Sequence, residues 1–181
     1  DVITAGQTIV GLADGVDVIS SVGICNIPGW EGPEGSLLGF GDAAVCIDPN
    51  PEQLASIAIA SAETVRALLG WEPRVAMLSY STDGSAESEL VEGVREAVGL
   101  ARERRPDLKI DGEFQLDAAI RPDVAAKKVR RDSEVAGRAN VLVVPNINVG
   151  NIGIKLIQNF AHADAYGPLL QGFRKVVCDC S

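Results

Sequence analysis

The chain has 181 residues, 46% of them hydrophobic, and a net charge of −9. That is apolar material for one large globular domain, or for a domain with part of a second, and it excludes a disordered chain. The acidic balance argues against gripping a phosphate backbone by broad electrostatics, basic and aromatic residues are not interleaved, and no apolar run is long enough for a membrane span, so neither nucleic acid nor membrane is an expected partner.

The chain opens on Asp1 with no basic stretch leading into an apolar one. No secretory signal is visible, and a piece of a longer polypeptide is expected. Residues 16–24 (VDVISSVGI) and 39–48 (GFGDAAVCID) read as strands. The Gly/Pro-rich stretch between them reads as an antiparallel excursion or a lid. GFGDAA formally fits a dinucleotide fingerprint, but Asp48 and Pro49 leave no room for the helix that such a motif must open, and the reading is rejected. Asn50-Pro51-Glu52-Gln53 is a strong helix start, with Asn50 as cap, Pro51 at the first turn and Gln53 closing a capping box. The helix stops at Gly70.

RVAMLSYS (74–81) reads as a buried strand, residues 82–106 as a turn and a long amphipathic helix stopped by Pro106, and DLKIDGEFQ (107–115) as a second strand. Residues 116–129 read as loop and helix, RANVLVVP (138–145) as an apolar strand, and about 150–163 as a helix. FRKVVCDC (173–180) would supply a last short strand. Strands and helices alternate and the strands are continuously apolar, which predicts an α/β fold: a mainly parallel sheet with helices on both faces and a small N-terminal β excursion.

In such sheets ligands sit beyond the carboxyl ends of the strands. Three of these ends are polar: SYSTDGS after the strand at Val75, EFQLDAA after the strand at Ile110 and PNINVGNIGIK after Val144. STDGS reads either as an anion-holding turn at a helix N-terminus or as a plain capping turn. NVGNIGIK reads either as a ligand site, with Gly150 and Gly153 admitting the ligand beside Asn151 and Lys155, or as a closely packed strand-to-helix turn. The basic stretch 127–138 reads as a solvated face, with contact to an anionic cofactor as the alternative. Cys25, Cys46, Cys178 and Cys180 fit reduced thiols in a cytoplasmic protein better than disulfides or a zinc site. His162, the only histidine, reads as structural.

The blocks RVAMLSYSTDGSA, RPDLKIDGEFQLDAAI, VAGRANVLVVPNINVGNIGIKLIQ and AYGPLLQGFRKVVCDCS closely resemble successive blocks of the phosphate acetyltransferase (phosphotransacetylase) family. The family's relatives include phosphate butyryltransferases and the acyltransferase-like tail of some malic enzymes. The resemblance implies a two-domain architecture similar to isocitrate and isopropylmalate dehydrogenases, with the site in the cleft. Residues 1–165 would be the second domain and 166–181 the start of the return to the first. It implies acetyl transfer between acetyl phosphate and coenzyme A by direct thiolate attack, with no resident cofactor or metal and with a homodimeric assembly. By this resemblance Ser181 donates to the acyl phosphate as the catalytic residue. Ser81, Thr82, Gly84, Gln115, Asp117, Asn148, Asn151, Lys155 and Gln171 line the substrate site. The family's Arg-Gly and later Asp would follow Ser181, so the chain alone is expected to turn over poorly. The alternatives are butyryl transfer, or a non-catalytic acyl-CoA-sensing or oligomerising domain. Cys178-Asp179-Cys180 departs from the family's usual Asn-Asp-Leu and gives no support for covalent catalysis.

Overall fold

The computed structural model describes residues 2–178. A short helix α1 (Val2–Ile9) leads to β1 (Ser20–Asn26) and β2 (Leu37–Gly41), which pair antiparallel. Then follow α2 (Pro51–Leu69), β3 (Arg74–Leu78), α3 (Glu89–Arg104), β4 (Lys109–Phe114) and two short helices, α4 (Leu116–Ile120) and α5 (Pro122–Lys128). β5 (Val141–Val143), α6 (Ile147–Phe160) and β6 (Asp164–Gln171) complete the order. One sheet runs β4-β3-β5-β2-β1-β6. β4, β3, β5 and β2 are mutually parallel, and β1 alone runs against its neighbours on both sides.

The continuous apolar strands are explained by burial on two sides. Val75 and Met77 of β3, with Val141 and Val143 of β5, face a core shared with α2 and α3. Ala76, Leu78, Leu142 and Val144 face a second core, against which Ile154 and Ile157 of α6 and Ile120 of α4 pack. The expected sheet with helices on both faces is the sheet observed. The start of α2 also forms as read: Asn50 Oδ1 accepts from the Gln53 N–H at 2.9 Å, and Gln53 Oε1 accepts from the Asn50 N–H at 3.0 Å. Gly70 ends that helix in the left-handed conformation, φ 69°. No helix begins within residues 42–49, in keeping with rejection of a dinucleotide fingerprint.

Three expectations are corrected. Among the described residues the last strand is β6; of the strand expected at 173–180, Phe173 makes only an isolated bridge to Leu12, residues 174–178 carry no strand, and 179–180 lie outside the described residues. Gly167-Pro168 disguises β6, yet a sheet edge tolerates a residue without an N–H. Second, α6 begins at Ile147, about a turn earlier than read, because Asn146 caps it by accepting from the Val149 N–H at 3.2 Å. Third, His162 lies beyond α6 at φ 53°, exposed.

Candidate functional site

The loops after β3, β4 and β5 leave the same edge of the sheet, as parallel neighbours must. Their side chains nevertheless divide into separate groups. The turn at residues 81–85 already holds an anion, and that anion is Glu113. Its Oε1 accepts from the Ser81 hydroxyl at 2.8 Å and the Gly84 N–H at 3.0 Å, while Arg95 Nε reaches Oε2 at 3.0 Å. The other amides of the turn are satisfied internally: Thr82 N–H by Ser85 Oγ, Asp83 N–H by the Glu113 carbonyl, Ala86 N–H by Ser81 Oγ. Burial pushes the Glu113 carboxyl up, but Arg95, Gly84 and Ser81 outweigh it and hold it at about 2. Helix α3 starts only at Glu89, capped by Ser88. The turn therefore precedes the helix rather than opening it, and Ser81 is fully enclosed.

Beside this turn the Thr82 hydroxyl accepts from the Gln115 N–H at 2.8 Å. Lys128 Nζ then bridges Gln115 Oε1 and Asp117 Oδ2, each at 2.9 Å, and this partner, with the N–H of Ala118, lowers the Asp117 pKa. Lys128 was missed in the sequence, grouped there with a generic basic stretch. Arg131 of that stretch pairs with Asp83 at 2.7 Å and with Asp111 at 2.8 Å, so at this residue the stretch is an internal ion pair rather than a simply solvated face. Asp111 is buried; burial raises its pKa, and Arg131, Ser133 and Arg102 more than reverse the effect. Two buried acids in β4, Asp111 and Glu113, set among Ile110, Gly112 and Phe114, were the available sign that built-in cationic partners must exist.

Asn148, Asn151 and Lys155 share one exposed side of α6, with Asn151 one turn and Lys155 two turns in, not at the N-terminus. The Ile147 N–H is taken by the Ile47 carbonyl at 3.0 Å. Gly150 serves packing: a Cβ there would lie 2.7 Å from the Asp42 carbonyl and 2.9 Å from Ala43 Cα. Gly153 has nothing within 4 Å. Between α6, β1 and β6 lies a cavity of about 180 Å³ lined by Ser21, Asn151, Lys155, Gln158, Ile154, Tyr166 and small residues. Lys155 is the one charged group lining it. Two larger cavities differ: one of about 400 Å³ sets Arg95, Arg102 and Arg131 against Asp83, Glu87 and Glu113, and one of about 590 Å³ sets Arg102, Lys109 and Arg138 against Asp111, Asp132 and Glu134. Of these three cavities among the described residues, the small one alone has a cation and no acid in its lining.

Gln171 is buried and fully bonded: its amide nitrogen donates to Ser20 and Ser61 at 3.0 Å each, and Oε1 accepts from Thr64 at 2.9 Å. Asp42, missed in the sequence, lies at the floor of the α6 region. It accepts from the Ser21 hydroxyl at 2.5 Å and from the N–H groups of Ala44, Val45 and Cys46. Ser181 lies outside the described residues.

The two-sided α/β sheet thus carries, between α6, β1 and β6, a small cavity whose lining contains one cation, Lys155, and no acid. Comparison with known proteins places the chain in a family. The family model for phosphate acetyl/butaryl transferase matches residues 1–181, and the chain belongs to that family. A phosphate acetyltransferase of Clostridium acetobutylicum is 50% identical over 181 residues, covering 100% of this chain and 54% of that protein. The crystal structure of a phosphotransacetylase from Streptococcus pyogenes matches with a TM-score of 0.91 at 41% identity, over 99% of this chain and 53% of that one. A branched-chain phosphotransacylase from Enterococcus faecalis V583 matches with a TM-score of 0.70 at 25% identity, over 92% of this chain and 57% of that one. The chain spans about half the length of the curated relatives it matches.

Proposed function

We propose that the protein to which this chain belongs is a phosphate acetyltransferase, moving an acetyl group between acetyl phosphate and coenzyme A. The observation that carries the reading is the cavity beneath α6, where Lys155 stands without an opposing acid in a chain of net charge −9. The 50% identity to proteins named phosphate acetyltransferase favours acetyl over larger acyl groups. In the forward step the thiolate of coenzyme A attacks the acyl carbonyl carbon. A C–S bond forms, the C–O bond to phosphorus breaks, and phosphate leaves with the electron pair. Lys155 and Asn151, with Asn148 beside them, supply fixed donors to the phosphate oxygens, and Ser181 donates to the acyl phosphate. Thr82, Gln115 and Asp117 form a second polar rim along the same edge. Ser81, Gly84 and Gln171 act from behind, the first two by fastening the turn that carries Thr82. The reaction needs no resident metal or redox cofactor, because both reactants bring their own leaving group and nucleophile.

A homodimer fits the surface of α6, where Val149, Ile152, Leu156 and Phe160 are 46%, 58%, 50% and 82% exposed in one stripe. A second copy would cover it by two-fold pairing. A cytoplasmic location fits the unpaired Cys25, Cys46 and Cys178. The test is thioester formation from acetyl phosphate and coenzyme A, followed by ultraviolet absorbance, in the full-length protein carrying Lys155→Ala or Asn151→Ala. Loss of one such preorganised donor lowers kcat/KM by about 10²–10³. Wild-type turnover by both variants would place the phosphate elsewhere.

A further inference from the structure

Gly23 sits in the middle of β1 between Val22 and Ile24, which point into the core shared with α2 and α3. By strand alternation a side chain at position 23 would point to the other face, where Cys25 lies and α6 packs. Glycine there weakens the strand, and the protein's own packing does not demand it. A Cβ on Gly23 would meet only ordinary contacts, Ile154 Cδ1 at 3.7 Å, the Tyr166 carbonyl at 3.9 Å and the Phe40 carbonyl at 4.0 Å. The contrast with Gly41 is direct, since a Cβ there would be driven to 2.5 Å from Ser61 Oγ. Between Val22 and Ile24 the register with β6 also shifts: Val22 pairs with Leu169 and Ile24 with Tyr166, so Gly23 faces both Gly167 and Pro168. Irregularities of this kind gather beside binding sites, and a strand glycine marks close approach by something else.

What remains open at Gly23 is the floor of the cavity of about 180 Å³, walled by Ala43, Ala44, Ala165 and Pro168 and closed on the helix side by Ile154. Cavities of roughly 150 Å³ admit one small organic group, so this one has room for a short acyl group and not for coenzyme A. Its polar end is Lys155, its apolar end the gap between Gly23 and Ile154.

We propose that this cavity takes the acyl phosphate with its acyl chain directed at Gly23, and that Gly23 and Ile154 together set the acyl length accepted. The inference rests on the acyl-transfer reading and adds the residues that determine specificity. Gly23→Ala places a methyl group in the gap without a clash, so the variant folds. Ile154→Val withdraws one methyl group from the opposite wall.

The experiment uses the full-length protein and two ratios, butyryl over acetyl. One is the ratio of kcat/KM for the two acyl phosphates. The other is the ratio of calorimetric affinities for butyrylphosphonate and acetylphosphonate, which needs no turnover. Gly23→Ala is expected to lower both ratios about tenfold or more and Ile154→Val to raise them, since one methylene in a fitted pocket is worth about 10–200-fold. A Gly23→Ala affinity ratio within about twofold of wild type overturns the inference, as does failure of the wild type to bind either phosphonate. If the affinity ratio shifts while the wild type fails to turn over acetyl phosphate, the cavity assignment stands and the acetyltransferase reading falls.

Discussion

Gly150 and Gly153 occupy one helix three residues apart, and the structure assigns opposite signs to the same substitution at each. At Gly150 a methyl group would be pressed to 2.7 Å from the Asp42 carbonyl oxygen, 2.9 Å from Ala43 Cα and 2.9 Å from Val144 Cγ2. Two of these three atoms are backbone, so relief requires the helix and the loop after β2 to separate. Overpacking of this kind costs about 1–3 kcal/mol, and the gain in helix propensity from glycine to alanine returns only about 0.5–1 kcal/mol. Gly150→Ala is therefore expected to lose about 1–2 kcal/mol, a fall in Tm of roughly 2–8 °C for a chain of this size. At Gly153 no atom lies within 4 Å, and the propensity gain stands unopposed, raising Tm by roughly 1–4 °C. Urea and thermal unfolding of the two single variants beside the parent give both signs directly. A stabilised Gly150→Ala would refute the close approach of α6 to the 42–43 backbone, and a destabilised Gly153→Ala would refute the open space at position 153.

Two further outcomes follow from other parts of the molecule. Glu113 is held at about 2, against an ordinary 4.5; its stabilising contribution is complete above pH 4.5 and is lost as the pH falls from there towards 2. That displacement corresponds to a few kcal/mol at most, so Glu113→Gln should flatten the acid limb of a stability-against-pH curve, and an unchanged limb would mean that Arg95 does not hold the carboxylate. On the exposed stripe of α6, Leu156→Glu should convert a dimer of the full-length protein to monomer in sedimentation velocity; persistence of the dimer would move the interface to another face.

The fold was legible because the information was local and repeated. Capping at Asn50, the stop at Gly70 and continuous apolar runs at 75–78 and 141–144 each fix an element from neighbouring residues alone. β6 was not legible, because Gly167-Pro168 opposes a strand everywhere except at an edge, and edge position is a property of the whole sheet. The start of α6 was displaced because Gly150 and Gly153 drew attention away from Asn146, whose side chain supplies the cap. At the candidate site, Asn151 and Lys155 were visible as polar groups after an apolar strand. Nothing in the spacing of Ser81 and Gly84 reveals that the anion they embrace is Glu113, some thirty residues on. Partners at such separations become visible only when the chain is closed on itself, and the same holds for Lys128 between Gln115 and Asp117.

The reversed strand β1 has a consequence for synthesis. It is sandwiched between β2, which follows within a few residues, and β6, whose Gln171 donates to the Ser20 hydroxyl across a separation of 151 residues. At translation rates of about 5–20 residues per second, roughly 8–30 s elapse between the making of the two strands. For that interval β1 has no partner on its β6 side, and wherever β1 and β2 pair early they leave an open edge at Ser20–Asn26 of the kind that pairs with other strands. Arrival of β6 covers that edge in one long-range step.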